Sequence, residues 1–397
     1  MVYVPRWRYT VKSAARLTAL LLLAFPNLYA ADIRLETINK DGISAAQQVM
    51  SPGLPDLPEP AFTKLPGYDR YDVTGLPRYI FTEEARVSAV ITKAIENAHY
   101  TLDVALYNLQ IPDTAKALIK ARDRGVKVRV VLDYEHFYPK ANSDIQTIVD
   151  AKLDIRVMKG RGGSGSMHNK YAIFDGTALE TGSANWSTLA ETGSYENMMF
   201  VFDRDILNGY QKNFEWMWAQ GKLPGDQSAG WPKPGPLPAA PFTTVDLNGT
   251  RFPPYIFSPR GGTEQTIVRA LDAAQHDIVI AMFAFTSKPA MEALTRASSR
   301  GVQVRIMTSL KSAFPFKEQV KQARIEYRLK PGRVENGIMH NKYGVVDGRL
   351  LINGSFNWSE TAETLNTENT IFTTDPQYVA PYKAEFEKLY TTAIRPN

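Results

Sequence analysis

The chain has 397 residues, 44% of them hydrophobic and 22% charged, with no cysteine and a formal net charge of +5. That length suits about two domains, since single domains usually run roughly 100–200 residues. Disulfide and thiolate chemistry are excluded, so stability has to come from core burial.

The first elements in chain order are a basic segment (Arg6, Arg8, Lys12, Arg16) and the apolar run LTALLLLAF, residues 17–25, ending in small residues near Ala30. This pattern predicts a secretory signal peptide over 1–30 and a secreted or periplasmic mature protein. The apolar run is shorter than the roughly 20 residues a membrane-spanning helix needs. Removing it takes four basic and no acidic side chains, and the formal charge falls from +5 to +1. A whole-protein basic footprint for nucleic acid is therefore absent.

Residues 31–75 form an N-terminal arm punctuated by SPGLPDLPEP. The next 76–222 segment alternates two periodicities: helical spacing over Val87 to Ala98 and Thr114 to Arg124, strands over Thr101 to Tyr107, Val126 to Leu132 and Lys170 to Phe174. Asp203 caps a late helix reaching Gln220, whose aromatics Tyr210, Phe214, Trp216 and Trp218 are read as core. A Pro-rich linker follows over 223–250, and 251–397 repeats the first segment. RYIF (78–81) answers PYIF (254–257), TLDVALYNL (101–109) answers DIVIAMFAF (277–285), and RGVKVRVVL (124–132) answers RGVQVRIMT (300–308). The fold expected is α/β: two similar domains, each a mixed sheet flanked by helices.

The repeats agree best in polar residues. MHNKYAIFDG (167–176) answers MHNKYGVVDG (339–348), and TGSANWSTLAETGSYEN (181–197) answers NGSFNWSETAETLNTEN (353–369). Duplication of a core alone would not single out polar positions. Strand alternation places His168, Lys170 and Ala172 on one face. A histidine that shuttles protons near neutral pH, beside a lysine, suits attack on an anionic phosphate. Asn185, Asn357, Ser183 and Ser355 are candidates for binding the phosphate oxygens, and Glu196 or Glu368 for orienting an imidazole. Asp175 and Asp347 precede glycine in a strand-ending turn and are read as structural. His99, His136 and His276 are read as non-catalytic. With no Cys, no His-x3-His and no acidic cluster near the histidines, neither a metal nor a cofactor is expected. The glycine-rich GRGGSGS (160–166) is read as a mobile loop at the site mouth. Basic stretches before each motif (Arg156, Lys159, Arg161; Lys321, Arg324, Arg328, Lys330, Arg333) are candidates for steering a polyanion.

The two His-x-Lys-x4-Asp blocks resemble the HKD signature of the phospholipase D superfamily, and the GSxNWS and EN tail is most similar to its nuclease and cardiolipin-hydrolase-like branch. The resemblance runs from about Tyr79 to Tyr390. It implies that both units meet about a pseudo-twofold axis and build one active site within a monomer. His168 would be the nucleophile and His340 the acid and base, Lys170, Lys342, Asn185 and Asn357 would hold the phosphate, and Glu196 and Glu368 would orient the histidines. The substrate stays open between phospholipid head groups, with peripheral contact to a membrane surface, and DNA or RNA cut by a secreted metal-independent nuclease.

Overall fold

The computed structural model describes residues 71–396 apart from 139–142, 227, 229, 232–234 and 240. The signal peptide and almost all of the N-terminal arm lie outside the described residues. The described residues form one compact unit that contains both repeats.

The first repeat builds a seven-stranded mixed sheet from β1 (Tyr79–Phe81), β2 (Thr101–Leu106), β3 (Lys127–Asp133), β4 (Asp154–Met158), β5 (Lys170–Phe174), β6 (Ala178–Gly182) and β7 (Asn197–Val201), in the order β1-β7-β6-β5-β2-β3-β4. The second repeats it with β8 (Tyr255–Ser258), β9 (Asp277–Met282), β10 (Gln303–Ser309), β11 (Glu326–Lys330), β12 (Lys342–Val346), β13 (Leu350–Gly354) and β14 (Glu368–Thr373), in the order β8-β14-β13-β12-β9-β10-β11. The β2–β3–β4 part is parallel, with β2 joined to β3 through the covering helix α2 (Pro112–Asp123) and β3 to β4 through the helical segment Ser143–Asp150, as parallel strands require. Helix α1 (Val87–Glu96) lies beside α2. The helix α2 begins two residues before the spacing predicts because Pro112 occupies its first turn, where its missing N–H is not needed.

Each sheet has two buried faces. Ala172 and Phe174 of β5 pack into the first repeat's own core with α1 and α2, while Tyr171 and Ile173 enter a core shared by both repeats. The long helices α3 (Arg204–Gln220), capped by Asp203, and α4 (Pro376–Thr391) complete this shared core. Tyr210 of α3 meets Phe257 of the second repeat at 5.0 Å, and Tyr382 of α4 meets Phe81 of the first at 5.2 Å. Tyr210 and Phe214 are fully buried, whereas Trp216 and Trp218 are only partly covered. The repeats are thus two halves of one core rather than beads on a linker.

Both expected boundaries shift for the same reason, apolar burial. At the end of the arm, Tyr71 is buried against Phe174 and donates to the Ala94 carbonyl at 3.0 Å, so residues 71–75 belong to the first repeat. Across the end of the expected linker, residues 245–252 make a hairpin whose Leu247 and Phe252 are buried in the second repeat's core. No helix among the described residues is long and apolar enough to cross a membrane.

Asp175 and Asp347 sit in left-handed turns (φ 49° and 54°), a conformation that aspartate tolerates. Asp175 accepts the backbone N–H groups of His99, Tyr100 and Thr101 at 2.7–2.8 Å, and Asp347 those of Gln275, His276 and Asp277. Each carboxylate thereby fixes the start of the strand beside its motif strand. Asp175→Ala should cost about 3 kcal/mol of unfolding free energy, since it leaves three partly buried N–H donors without a charged acceptor. Denaturant titration checks this, and Asp175→Asn should lose markedly less.

Candidate active site

The two motif strands are brought together by backbone pairing between the repeats. Met167 bridges Thr367 in parallel and Tyr195 bridges Met339. The His168 N–H donates to Thr367 O at 3.0 Å, and the His340 N–H to Tyr195 O at 2.9 Å. Next to the histidines, Asn169 Nδ2 donates to Asn369 Oδ1 at 3.2 Å and Asn197 Nδ2 to Asn341 Oδ1 at 2.7 Å. These asparagines, the x of His-x-Lys and the Asn of Glu-Asn, stitch the half-sites together. Their recurrence in register was the available signal for them.

The decisive geometry is crossed. His168 Nδ1 lies 2.8 Å from Glu368 Oε2, and His340 Nδ1 lies 2.7 Å from Glu196 Oε1, so each imidazole is held by the other repeat's carboxylate. An ionised carboxylate only accepts, so each Nδ1 carries the proton and each Nε2 keeps its lone pair. The His340 imidazole and Lys342 hold the buried Glu196 below its ordinary range although burial pushes it up. Ser355 Oγ donates to Glu368 Oε2 at 2.6 Å, and Asn366 Nδ2 to its Oε1 at 3.0 Å.

Two of the expected phosphate ligands are therefore corrected. The Ser355 hydroxyl proton is engaged by Glu368, and Ser183 is fully buried, its hydroxyl accepting from the Asn197 backbone N–H at 3.0 Å and from its side-chain amide at 3.2 Å. Ser355 thus supports an orienting carboxylate and Ser183 the asparagine that follows the other, and both are buried. Asn185 and Asn357 are half-buried; Asn185 Oδ1 has no partner among the described residues, while Asn357 Oδ1 accepts the Ala284 N–H at 3.4 Å.

Lys170 and Lys342 are buried, each donating from Nζ to the carbonyl of its own histidine at 2.6 and 2.7 Å. Burial pushes Lys170 down to about 8, opposed by Glu368 and Glu196. Lys342 falls to about 7 through burial, with Lys170 repelling it. His340 is pushed down to about 4 by burial and Lys342, against the pull of Glu196, and His168 is lowered by burial first. Burial thus leaves both histidines neutral and weakens the hold of both lysines on their protons in the unliganded site. An anion beside the lysines would favour their charged forms.

The expected loop and steering residues are anchored. In GRGGSGS, Arg161 N donates to Leu365 O at 2.7 Å and Ser166 N to Asn366 Oδ1 at 3.0 Å, so the segment is pinned to the loop before β14 of the other repeat. A Cβ on Gly160 would fall 2.2 Å from Leu365 O, which is why glycine stands there. Lys159 pairs with Glu135 at 2.7 Å, Arg328 packs on Tyr390, and Arg333 donates to the Thr82 and Glu191 carbonyls. Lys159, Arg328 and Arg333 are thus each engaged by a neighbouring group. Among the described residues no three His, Asp or Glu side chains are grouped to hold a metal ion.

Residues 91–218 and 267–390 match the family model described as cardiolipin synthase, PLD-like domain. The mitochondrial cardiolipin hydrolase of Xenopus tropicalis is 33% identical over 123 residues, covering 31% of this chain and 57% of that protein. A phospholipase D of Rickettsia felis is 31% identical over 134 residues, covering 34% of this chain and 65% of that one. The chain thus spans less than two thirds of these relatives' lengths. Among solved structures, the phosphatidylserine synthase of Haemophilus influenzae superposes with a TM-score of 0.57 at 14% identity over 79% of this chain and 86% of that one. The polyphosphate kinase of Porphyromonas gingivalis does so with a TM-score of 0.56 at 13% identity over 79% and 50%. At these identities the likeness is one of fold.

Proposed function

From the chain's membership of the PLD-like domain family, which makes it a phosphodiesterase of the phospholipase D superfamily, we propose that it hydrolyses phospholipid head groups through a covalent phosphohistidine intermediate. The observation that carries the mechanism is the crossed pair of histidines, each with Nδ1 held by a carboxylate and Nε2 free. One Nε2 attacks phosphorus as the bond to the leaving alcohol breaks, and the other imidazole, protonated, gives its proton to the departing oxygen. That second imidazole then takes a proton from water, whose oxygen attacks phosphorus and breaks the P–N bond. Lys170 and Lys342 neutralise the phosphoryl oxygens as charge develops, and Asn185 and Asn357 complete their binding.

The reading places the enzyme in the periplasm or outside the cell, where it works as a monomer at a membrane surface, because both half-sites come from one chain. A lipid substrate is favoured over nucleic acid by similarity to cardiolipin hydrolases and by the formal charge of +1 that remains without residues 1–30. The mature protein is to be incubated in parallel with phosphatidylglycerol, cardiolipin and phosphatidylcholine vesicles, single- and double-stranded DNA, and RNA. Head-group release is the expected result, and cleavage of nucleic acid alone would replace the lipid reading with the nuclease one. Because lysines supply the positive charge, turnover should persist in excess EDTA. Loss of activity restored by one divalent ion, with vesicle integrity controlled, would count against this mechanism.

A further inference from the structure

Seven large apolar side chains are exposed among the described residues, and their placement is uneven. In the first repeat β2, β3 and β4 run parallel, β5 runs against β2, β6 against β5 and β7 against β6. The segments after β2, β3, β4 and β6 and before β5 and β7 therefore leave one end of the sheet. His168 stands at that end, just ahead of β5, and the second repeat places His340 in the same way. Leu310 directly follows β10, Val334 lies between β11 and β12, Leu189 between β6 and β7, and Leu365 between β13 and β14. Leu223 follows Lys222, which pairs with Val157 near the end of β4, and Ile394 pairs with Leu329 near the end of β11. These six, 36–59% exposed, all lie at the histidine end. The seventh, Phe242, precedes Thr243, whose N–H donates at 3.3 Å to Asp205 Oδ2 in the first turn of α3, at the opposite end.

Apolar side chains exposed singly need no explanation, but a set gathered round one opening does. The two sheets share a core and their histidine ends meet, with Met167 bridging Thr367 and Tyr195 bridging Met339. The rim residues adjoin that seam: a Cβ on Gly193 would fall 2.8 Å from both Leu189 of the first repeat and Val334 of the second, and one on Gly165 would fall 2.7 Å from the Leu365 backbone. Four of the six have a cation as chain neighbour: Lys222–Leu223, Leu310–Lys311, Arg333–Val334 and Ile394–Arg395. Lys222 and Lys311 donate from Nζ to the Ser228 and Glu335 carbonyls, and Arg333 to those of Thr82 and Glu191, so none of these bonds cancels a charge. Asp226, Glu335 and Glu360 are exposed at the same end, so the rim is not the polycationic track that a nucleic acid calls for. Apolar side chains interleaved with cations fit hydrocarbon capped by phosphate.

We propose that this rim is a docking surface for a phospholipid bilayer: the six apolar side chains enter the acyl boundary, their neighbouring cations meet head-group phosphates, and the histidine cleft opens onto the membrane between them. The choice of a bilayer as occupant rests on the phospholipid reading above. Insertion to the depth of a side chain is how a protein lies on a membrane without spanning it. Lys and Arg beside the inserted residues lay their apolar stems along hydrocarbon and keep their charge at head-group level. A head group can then face the two histidines while its acyl chains stay in the bilayer, so a whole lipid need not be drawn into water.

The test uses the full mature chain, whose lack of cysteine allows a single one to be introduced for labelling. Leu223→Cys, Val334→Cys and Phe242→Cys are coupled to a polarity-sensitive fluorophore and mixed with vesicles of phosphatidylglycerol and phosphatidylcholine. Emission should move to the blue at positions 223 and 334 and stay unchanged at 242. In vesicle sedimentation, the triple variant Leu223→Ser, Leu310→Ser, Val334→Ser should partition at least about tenfold more weakly than wild type, because three half-exposed side chains no longer enter hydrocarbon. Phe242→Ser should partition as wild type does. Turnover of bis(p-nitrophenyl) phosphate, a soluble diester, should be the same in all of these chains, which shows that they are folded. An equal blue shift at 242, no shift at 223 and 334, or undiminished partitioning of the triple variant would overturn the proposal. So would a dimer in solution that the triple variant dissociates without any loss of vesicle binding, since the face would then belong to a second copy of the chain. Head-group release without vesicle partitioning would sink the docking surface and leave the phospholipid reading standing. Rim-dependent partitioning with no head-group release from any lipid would support the docking surface and sink that reading instead. The single-cysteine labels keep the outcome readable if the triple variant does not fold.

Discussion

Glu196→Gln should lower kcat by about 10³-fold through His340, the histidine of the other repeat, and Glu368→Gln should do the same through His168. Glutamine is close in shape to glutamate but neutral, and its amide can place an N–H donor where Nδ1 needs an acceptor. The imidazole would then be free to adopt the tautomer that blocks Nε2, and the imidazolium would lose its counter-charge. The carboxylates are buried and 2.7–2.8 Å from their histidines, so water cannot substitute for them. A double-mutant cycle distinguishes crossed from parallel pairing. Glu196→Gln with His340→Asn should cost little more than His340→Asn alone, while Glu196→Gln with His168→Asn should show no such coupling. Coupling of Glu196 to His168 instead would contradict the pairing seen here.

The second large effect concerns the lysines and has a defined pH signature. Lys342→Met should lower kcat/KM by about 10³-fold, comparable to removing one preorganised donor from a site of developing negative charge. In the unliganded site Lys342 titrates near 7 and Lys170 near 8, because burial penalises their charged forms. The protonated forms bind phosphate, so kcat/KM, which reports the free enzyme, should fall as pH rises through 7–8. Bound phosphodiester restores the charge, so the same descent in kcat should lie at higher pH. Matching profiles for kcat and kcat/KM would mean that substrate does not meet the lysines. Inorganic phosphate should raise the thermal midpoint more for wild type than for Lys342→Met.

What the sequence determined by itself is local or repeated. The strand Lys170–Phe174, the Asp203 cap and the placement of His and Lys on one face follow from period-two alternation and capping chemistry, which act within a few residues. The duplicated polar positions identified the histidines, lysines and glutamates because drifting apolar neighbours left them standing out. The tertiary structure alone decided the partnerships. Which glutamate holds which histidine depends on contacts between residues 144 and 200 positions apart, and no periodicity reaches that far. Ser183 and Ser355 share their motif with Asn185 and Asn357, yet burial turned Ser355 to Glu368 and Ser183 to Asn197. Of the basic residues before each motif, the sequence did not show that Lys159, Arg328 and Arg333 are engaged by Glu135, Tyr390 and the Thr82 carbonyl. Tyr107 and His136 carried no motif at all: one follows a strand and the other lies in a short helix, and only the folding of both beside Asp133 and His168 makes the surroundings of the two motif histidines unlike.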